Sequence, residues 1–390
     1  MIVHENRFAL VKGRDWQSGK PIQVWISESG QIDHVQWLTE QEEHQHWGWI
    51  APGLVDLQLN GYEGIDLNTL PLTIQDVQNL TRRLWEEGVT TYYPTMITND
   101  DRSIEAAVQV IAQACASDPL VAASITGIHL EGPFISPEDG ARGAHDKRFV
   151  QPPNWKKFEQ WQQAARGLIR LVTLSPEWDT APEFISRCVQ NGVAVSIGHT
   201  AASPEQIEQA VQAGAKLSTH LGNGAHVMLP RHPNYIWEQL AHDSLWTCAI
   251  ADGFHLPTSL LKVFMKVKEE QFILVSDAVY LSGLSPGTYE THIGGSVVLT
   301  PEGKLHLEGN PKLLAGSVKM LKDGIEHVVR SGLSHWVTAW EMASVRPARL
   351  MDLPVQHALA PGAPADLVTL EWKEGKVLFQ HVYKRGRRVK

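Results

Sequence analysis

The chain has 390 residues, 43% of them apolar and 20% charged, with a formal charge of −9, which suits two or three ordinary domains or one large barrel with an appendage. The mild acidity argues against a nucleic-acid binder, because the only basic run is the terminal Lys384, Arg385, Arg387, Arg388 and Lys390, which reads as a solvated tail. No segment approaches the roughly 18 apolar residues that span a bilayer, so a membrane protein is excluded too.

The amino terminus carries His4, Glu5 and Arg7 and lacks a signal-like apolar segment. Residues 1 to about 49 alternate in short runs, Gln23–Ile26 and Gln31–Val35 around Ser29-Gly30, which predicts β-hairpins. A long middle follows, in which apolar runs end at Leu57, Pro94, Leu130, Leu174, Ile197, His220, Ala251 and Val275. Helix-period segments lie between most of them: Thr73–Glu87, Ser103–Ala116, Glu183–Asn191, Pro204–Ala213 and Thr258–Lys268. Several start at cap signals such as Ser203-Pro204 and stop at Gly88, Gly192 or Gly214. Eight such β-α units predict an α/β fold, a TIM-like (β/α)8 barrel. A Gly-rich insertion over about 281–309 predicts further hairpins, followed by helices near Lys312–Arg330 and His335–Leu350. From about Ala365 the alternating β character returns, so both termini are expected to build one small β domain. Cys115, Cys188 and Cys248 form no CxxC pair, which fits a reducing compartment. The expected location is the cytoplasm.

Catalytic residues of such barrels sit where strands end, because the following loops form the active site. Here the strand ends read Asp56–Gly61, His129–Pro133, Gly198–Thr200, Thr219–Asn223, Ala251–His255 and Ser276–Ala278. Glu131, His199 and His220 form a carboxylate-His-His set, and three protein ligands leave a position open for water, the pattern of a catalytic metal site. Any one of these histidines alone could equally be satisfied within the loop layer. Asp277 is placed to take a proton from water and return it to a leaving amine; a helix cap is the competing role. His255 can hydrogen-bond a carbonyl or developing oxyanion. His129 lies two residues before Glu131 and so shares its strand face, supporting the site without ligating. His145, His226 and Arg231 lie in loops and could bind an anion, although unaided each reads more readily as a surface residue. The first strand offers Gln58 and Asn60 instead of His-x-His, and the fourth ends Thr173–Glu177 without a lysine to bridge metals, so one divalent ion is expected, with zinc suiting the N/O donors.

Taken together, Ala51–Asp56, His129–Phe134, Gly143–His145, Gly198–Thr200, Thr219–Leu221, Ile250–His255, Ser276–Ala278, Leu314–Ser317 and Arg346–Arg349 resemble the N-acetylglucosamine-6-phosphate deacetylases of the amidohydrolase superfamily. The resemblance implies a barrel over 51–356 with a small β-sandwich from 1–50 and 357–390. It implies that Glu131, His199 and His220 hold the metal, that Asp277 is the general acid/base and that His255 meets the substrate. It carries substrate contacts to Ala144, His145, Asn223, Gly224, Leu314, Ala315 and Gly316, and to Arg231, which matches a phosphate-binding arginine donated across a homodimer. Gln58 and Asn60 match the vestigial second-metal position of members that look mononuclear. The chain departs from the family over Gly222–His226 and Arg231–Asn234, in the phosphosugar loop. A galactosamine epimer, another amide substrate, and a barrel homologue without catalysis are the alternatives.

Overall fold

A computed structural model of the chain describes residues 9–39, 47–291 and 295–390; His4–Arg7 lie outside these. Eight strands, Leu54–Leu59, Val89–Ile97, Ile128–Glu131, Ile169–Leu174, Ala194–Ile197, Leu217–Ser218, Trp246–Ile250 and Phe272–Val275, run parallel, each beside the next. The ring closes where the Asp277 N–H donates to the Gln58 carbonyl at 3.0 Å and Leu59 bridges Ala278. This is a TIM-like barrel, and each strand coincides with one of the apolar runs. All six residues of the first strand are buried, as expected for a parallel sheet covered by helices outside and side chains within.

The five expected helices are present, as Ile74–Glu86, Asp101–Ser117, Ala181–Gln190, Pro204–Gln212 and Thr258–Lys268. Local chemistry sets their starts. Thr73 Oγ1 accepts from Asp76 N at 3.1 Å while Thr73 N donates to the Asp76 carboxylate at 3.0 Å, so two otherwise orphaned donors are satisfied reciprocally. Ser203 and Gln206 repeat the device ahead of Pro204. Pro119–Ser124, Trp155–Ala164 and Tyr235–Ala241 are further helices that the period did not reveal.

Seven strands from the two ends form one sheet: Ala9–Asp15, Pro21–Ile26, Ile32–Trp37, Trp49–Pro52, Leu367–Lys373, Lys376–Lys384 and Arg387–Arg388. Trp49–Pro52 joins the halves, parallel to Ala9–Asp15 and antiparallel to Leu367–Lys373. Among the described residues of the insertion, Gly287–Thr291, Gly295–Leu299, Leu305–Leu307 and Asn310–Leu314 make an antiparallel four-stranded sheet.

Three sequence expectations are corrected. The segment from Lys312 is not helical throughout, because Lys312–Leu314 completes the inserted sheet and the helix begins at Leu321. His335–Leu350 is two helices, Trp336–Met342 and Val345–Leu350, since Pro347 has no N–H for the Ala343 carbonyl, which accepts from Val55 N of the barrel at 2.9 Å instead. The basic tail is not all solvated. Lys384 is 1% exposed and pairs with buried Asp366 at 2.6 Å, also reaching Thr91 of the second barrel strand at 3.3 Å.

Candidate active site

The loops at the strand C-termini surround a cavity of about 690 Å³, within the range of small-molecule sites. Glu131, His199, His220, His255 and Asp277 all line it, as do Asn60, Ala144, His145, Asn223, Gly224, Leu314, Ala315 and Gly316. The inserted sheet supplies one wall through Thr291, Leu305, Leu307 and Leu313. Arg231 is exposed and does not line the cavity of its own chain.

At the base, the ligating atoms of Glu131, His199 and His220 lie within 4.8 Å of one another, and all three residues are buried. Glu131 Oε1 is 3.0 Å from His220 Nε2 and 3.4 Å from His199 Nε2. His199 Nδ1 meets the Ala141 carbonyl at 3.0 Å. A carbonyl only accepts, so that nitrogen carries the proton, and a neutral His199 then turns the Nε2 lone pair towards the carboxylate. Two electron-rich atoms facing each other inside a protein are stabilised by a cation between them, and a backbone carbonyl on the far nitrogen is how metal-binding imidazoles are oriented. The buried His220 Nδ1, which finds no hydrogen-bond partner, leaves Nε2 as that ring's active face. These residues can hold a metal ion. Burial works to raise the Glu131 pKa, but the two imidazoles hold it well below the usual carboxylate range; His220 is correspondingly raised to about 8 by Glu131, against its own burial.

Two of the candidate ligand positions, and Asp277, carry backbone strain. His199 has φ +48°, His220 +24° and Asp277 +47°, the left-handed region that non-glycine residues rarely enter and that concentrates at functional sites. Gly224 is needed beside His199, because a Cβ there would come within 2.5 Å of the ring.

Asp277 is pushed up to about 7, first by burial and then by the charge of Glu131. Asn60 Nδ2 donates to its Oδ1 at 2.7 Å, and Gln58 Nε2 donates to Glu131 Oε1 at 2.7 Å. The first strand therefore offers amide N–H groups to both carboxylates. His129 is set below: Nδ1 meets the Leu57 carbonyl at 3.1 Å and Nε2 the Thr173 hydroxyl at 2.7 Å.

His145 corrects its surface reading. It is buried, bonds the Thr98 hydroxyl through Nδ1 at 2.8 Å, and packs edge-on against His199 with centroids 4.4 Å apart. His226 is half-buried, between Tyr235 at 3.0 Å and Glu138 at 3.2 Å. Sequence reasoning passed over Arg142, which lines the cavity and whose guanidinium donates to the His145 carbonyl and to Asp139; its place just before Gly143-Ala144-His145 was the available signal. Asp252 was also missed, although it bonds His255 Nδ1 at 2.7 Å.

No family model matches the chain. The chain is 33% identical to N-acetylglucosamine-6-phosphate deacetylase of Bacillus subtilis (strain 168), over 82% of its own length and 80% of the relative's. It is 31% identical to N-acetylgalactosamine-6-phosphate deacetylase of Shewanella sp. (strain ANA-3), over 89% and 87%. A mutant of N-acetyl-D-glucosamine-6-phosphate deacetylase from Mycobacterium smegmatis, solved with N-acetyl-D-glucosamine-6-phosphate, superimposes with a TM-score of 0.84 at 26% identity, covering 98% of this chain and 99% of that one. Identity of this extent, on a shared barrel, places the chain in the N-acetylglucosamine-6-phosphate deacetylase family of the amidohydrolase superfamily.

Proposed function

We propose that the chain removes the acetyl group from N-acetylglucosamine-6-phosphate, giving glucosamine-6-phosphate and acetate in amino-sugar catabolism. The observation that carries this is the half-buried Asp277 carboxylate sharing one cavity with the Glu131–His199–His220 cluster. The cluster would hold one divalent ion, zinc by its donor set, which when bound supplies Lewis acidity for activating water and polarising the amide carbonyl. Asp277 takes a proton from the attacking water, the C–N bond breaks, and Asp277 returns the proton to the departing amine. Asn60 keeps the carboxylate oriented. His255 donates to the carbonyl oxygen as charge develops there. Gln58 and His129 fix the base of the site, through Glu131 and the strand below it.

Ala144, His145, Asn223, Gly224, Leu314, Ala315 and Gly316 would hold the sugar phosphate. Arg231, exposed on its own chain, would reach the phosphate of a second copy in a cytoplasmic homodimer; the planar guanidinium suits that anion. Residues 1–50 with 357–390 would form the smaller domain and 51–356 the catalytic one. Among the described residues no helix is long and apolar enough to cross a membrane.

A second reading, the galactosamine epimer, is favoured by the Shewanella relative's name and by the altered Gly222–Asn234 loop. Acetate release from the two N-acetylhexosamine-6-phosphates, unphosphorylated N-acetylglucosamine and a cyclic amide separates these readings. The glucosamine phosphate is expected to lead, with kcat/KM about 10²-fold or more above the unphosphorylated sugar. A lead for the galactosamine phosphate supports the second reading, and preference for the cyclic amide overturns both.

A further inference from the structure

Asp252 opens the loop after the seventh barrel strand, Trp246–Ile250, and does not line the substrate cavity, whereas His255, three residues on, does. Both side chains are buried, 4% and 9% exposed. Asp252 Oδ1 accepts from the backbone N–H of Phe254 and of His255, each at 2.8 Å. Those two bonds account for the turn, with Gly253 at φ +84° taking the left-handed step. The second carboxylate oxygen, Oδ2, is turned to the imidazole and lies 2.7 Å from His255 Nδ1.

That contact fixes more than a ring angle. Asp252 is held below the usual carboxylate range by its bonds to His255 and the two backbone N–H groups, against the effect of burial. An ionised carboxylate only accepts, so the proton between them belongs to Nδ1, and Nε2 is the nitrogen left for the cavity. A buried negative charge also compensates positive charge on the ring, which a neutral partner does not.

We infer that Asp252 is a positioning residue that holds the Nδ1–H of His255 and balances the positive charge with which the ring donates its Nε2–H to the acetyl carbonyl. The inference rests on the deacetylase reading for its kinetic consequence, but its structural half stands apart from turnover. Asp252→Asn keeps an oxygen for the two backbone donors and sets an amide NH2 against Nδ1, which reverses the tautomer and removes the charge.

The test combines ring-nitrogen NMR of His255, assigned with His255→Gln, and kinetics on N-acetylglucosamine-6-phosphate. In the zinc-loaded wild type Nδ1 is expected to carry a proton, whether or not Nε2 carries a second. In Asp252→Asn the proton is expected on Nε2, with Tm within about 4 °C of wild type. kcat should fall about 10²-fold or more, with KM changed by less than about threefold. On a His255→Ala background the same substitution should cost less than about twofold further, because one residue acts through the other. A wild-type His255 protonated only at Nε2 overturns the inference without any variant, as does Asp252→Asn with wild-type kcat, or fully multiplicative losses in the double variant. Wild-type protein that releases no acetate defeats the deacetylase reading, and the tautomer measurement still decides the role of Asp252.

Discussion

Asp277 combines three properties that ordinary surface aspartates lack: partial burial, a left-handed backbone, and an amide from Asn60 on one oxygen. Replacing it with asparagine preserves the shape and removes the proton acceptor. Asp277→Asn is expected to lower kcat about 10³-fold while one equivalent of metal stays bound, measured by acetate release alongside elemental analysis; turnover within threefold of wild type would remove Asp277 from the mechanism. His129 gives a prediction about stability. Burial pushes it down to about 4, against an unfolded value of about 6.5. Between those values the unfolded chain binds the extra proton, so the contribution of His129 is complete above about pH 6.5 and is lost as pH falls towards 4. Each pH unit in that window is worth about 1.4 kcal/mol. Urea denaturation of the metal-free protein from pH 4.5 to 7 should show a shallower pH dependence for His129→Asn than for wild type, and equal slopes would contradict this. At this scale much was legible. The spacing put His129 and Glu131 on one strand face, and two residues of rise, about 6.6 Å, explain why one reaches the cluster and the other lies a layer below. What sequence could not give was the partners: Thr173 and Leu57 for His129, and Asp252 for His255, are identified only when different strands and turns are brought together.

The eight β-α units were legible because short apolar runs, caps and terminal glycines recur in phase, as at Ser203-Pro204 and Gly214. The errors arose where tertiary pairing overrides local pattern. Leu313 and Leu314 resemble the start of an apolar helix, yet Lys312–Leu314 lies in a strand of the inserted sheet. The break at Ala343 depends on a carbonyl claimed by Val55, nearly 300 residues earlier in the chain. The loop after the sixth strand is where element and site meet. Gly224→Ala adds a methyl that must displace the His199 imidazole and its bond to Ala141, at a residue whose φ of +57° already disfavours a side chain. It should weaken metal binding by about 10- to 100-fold, measured by competition with a chromophoric chelator, with the fold retained by circular dichroism. Unchanged affinity would show that the loop yields to the methyl instead.

Across the whole molecule, the sheet built from both termini meets the barrel through a wide aromatic contact and through buried Lys384, which reaches Thr91 while paired with Asp366 of its own sheet region. Trp340 is fully buried, donates to the Pro52 carbonyl at 2.9 Å and stacks edge-on with Trp336 and Phe379. Lys384 and Asp366 neutralise each other beside Thr91. Lys384→Met leaves Asp366 buried and unpaired, and should cost about 3–5 kcal/mol in urea denaturation; a loss below about 1 kcal/mol would mean that water reaches the carboxylate. This tie lay hidden in what read as a solvated basic tail, because only the folded chain distinguishes Lys384 from its exposed neighbours Arg387 and Arg388. The proposed reaction needs every scale at once: a closed barrel, loops that assemble Glu131, His199 and His220, and Asp277 facing the same cavity. Acetate release from N-acetylglucosamine-6-phosphate by the purified chain, before chelation, after it, and on titrating zinc back, tests this most directly. Turnover should vanish on chelation and return in full at one ion per chain. Turnover that survives complete metal removal, or never occurs with the metal bound, would contradict it.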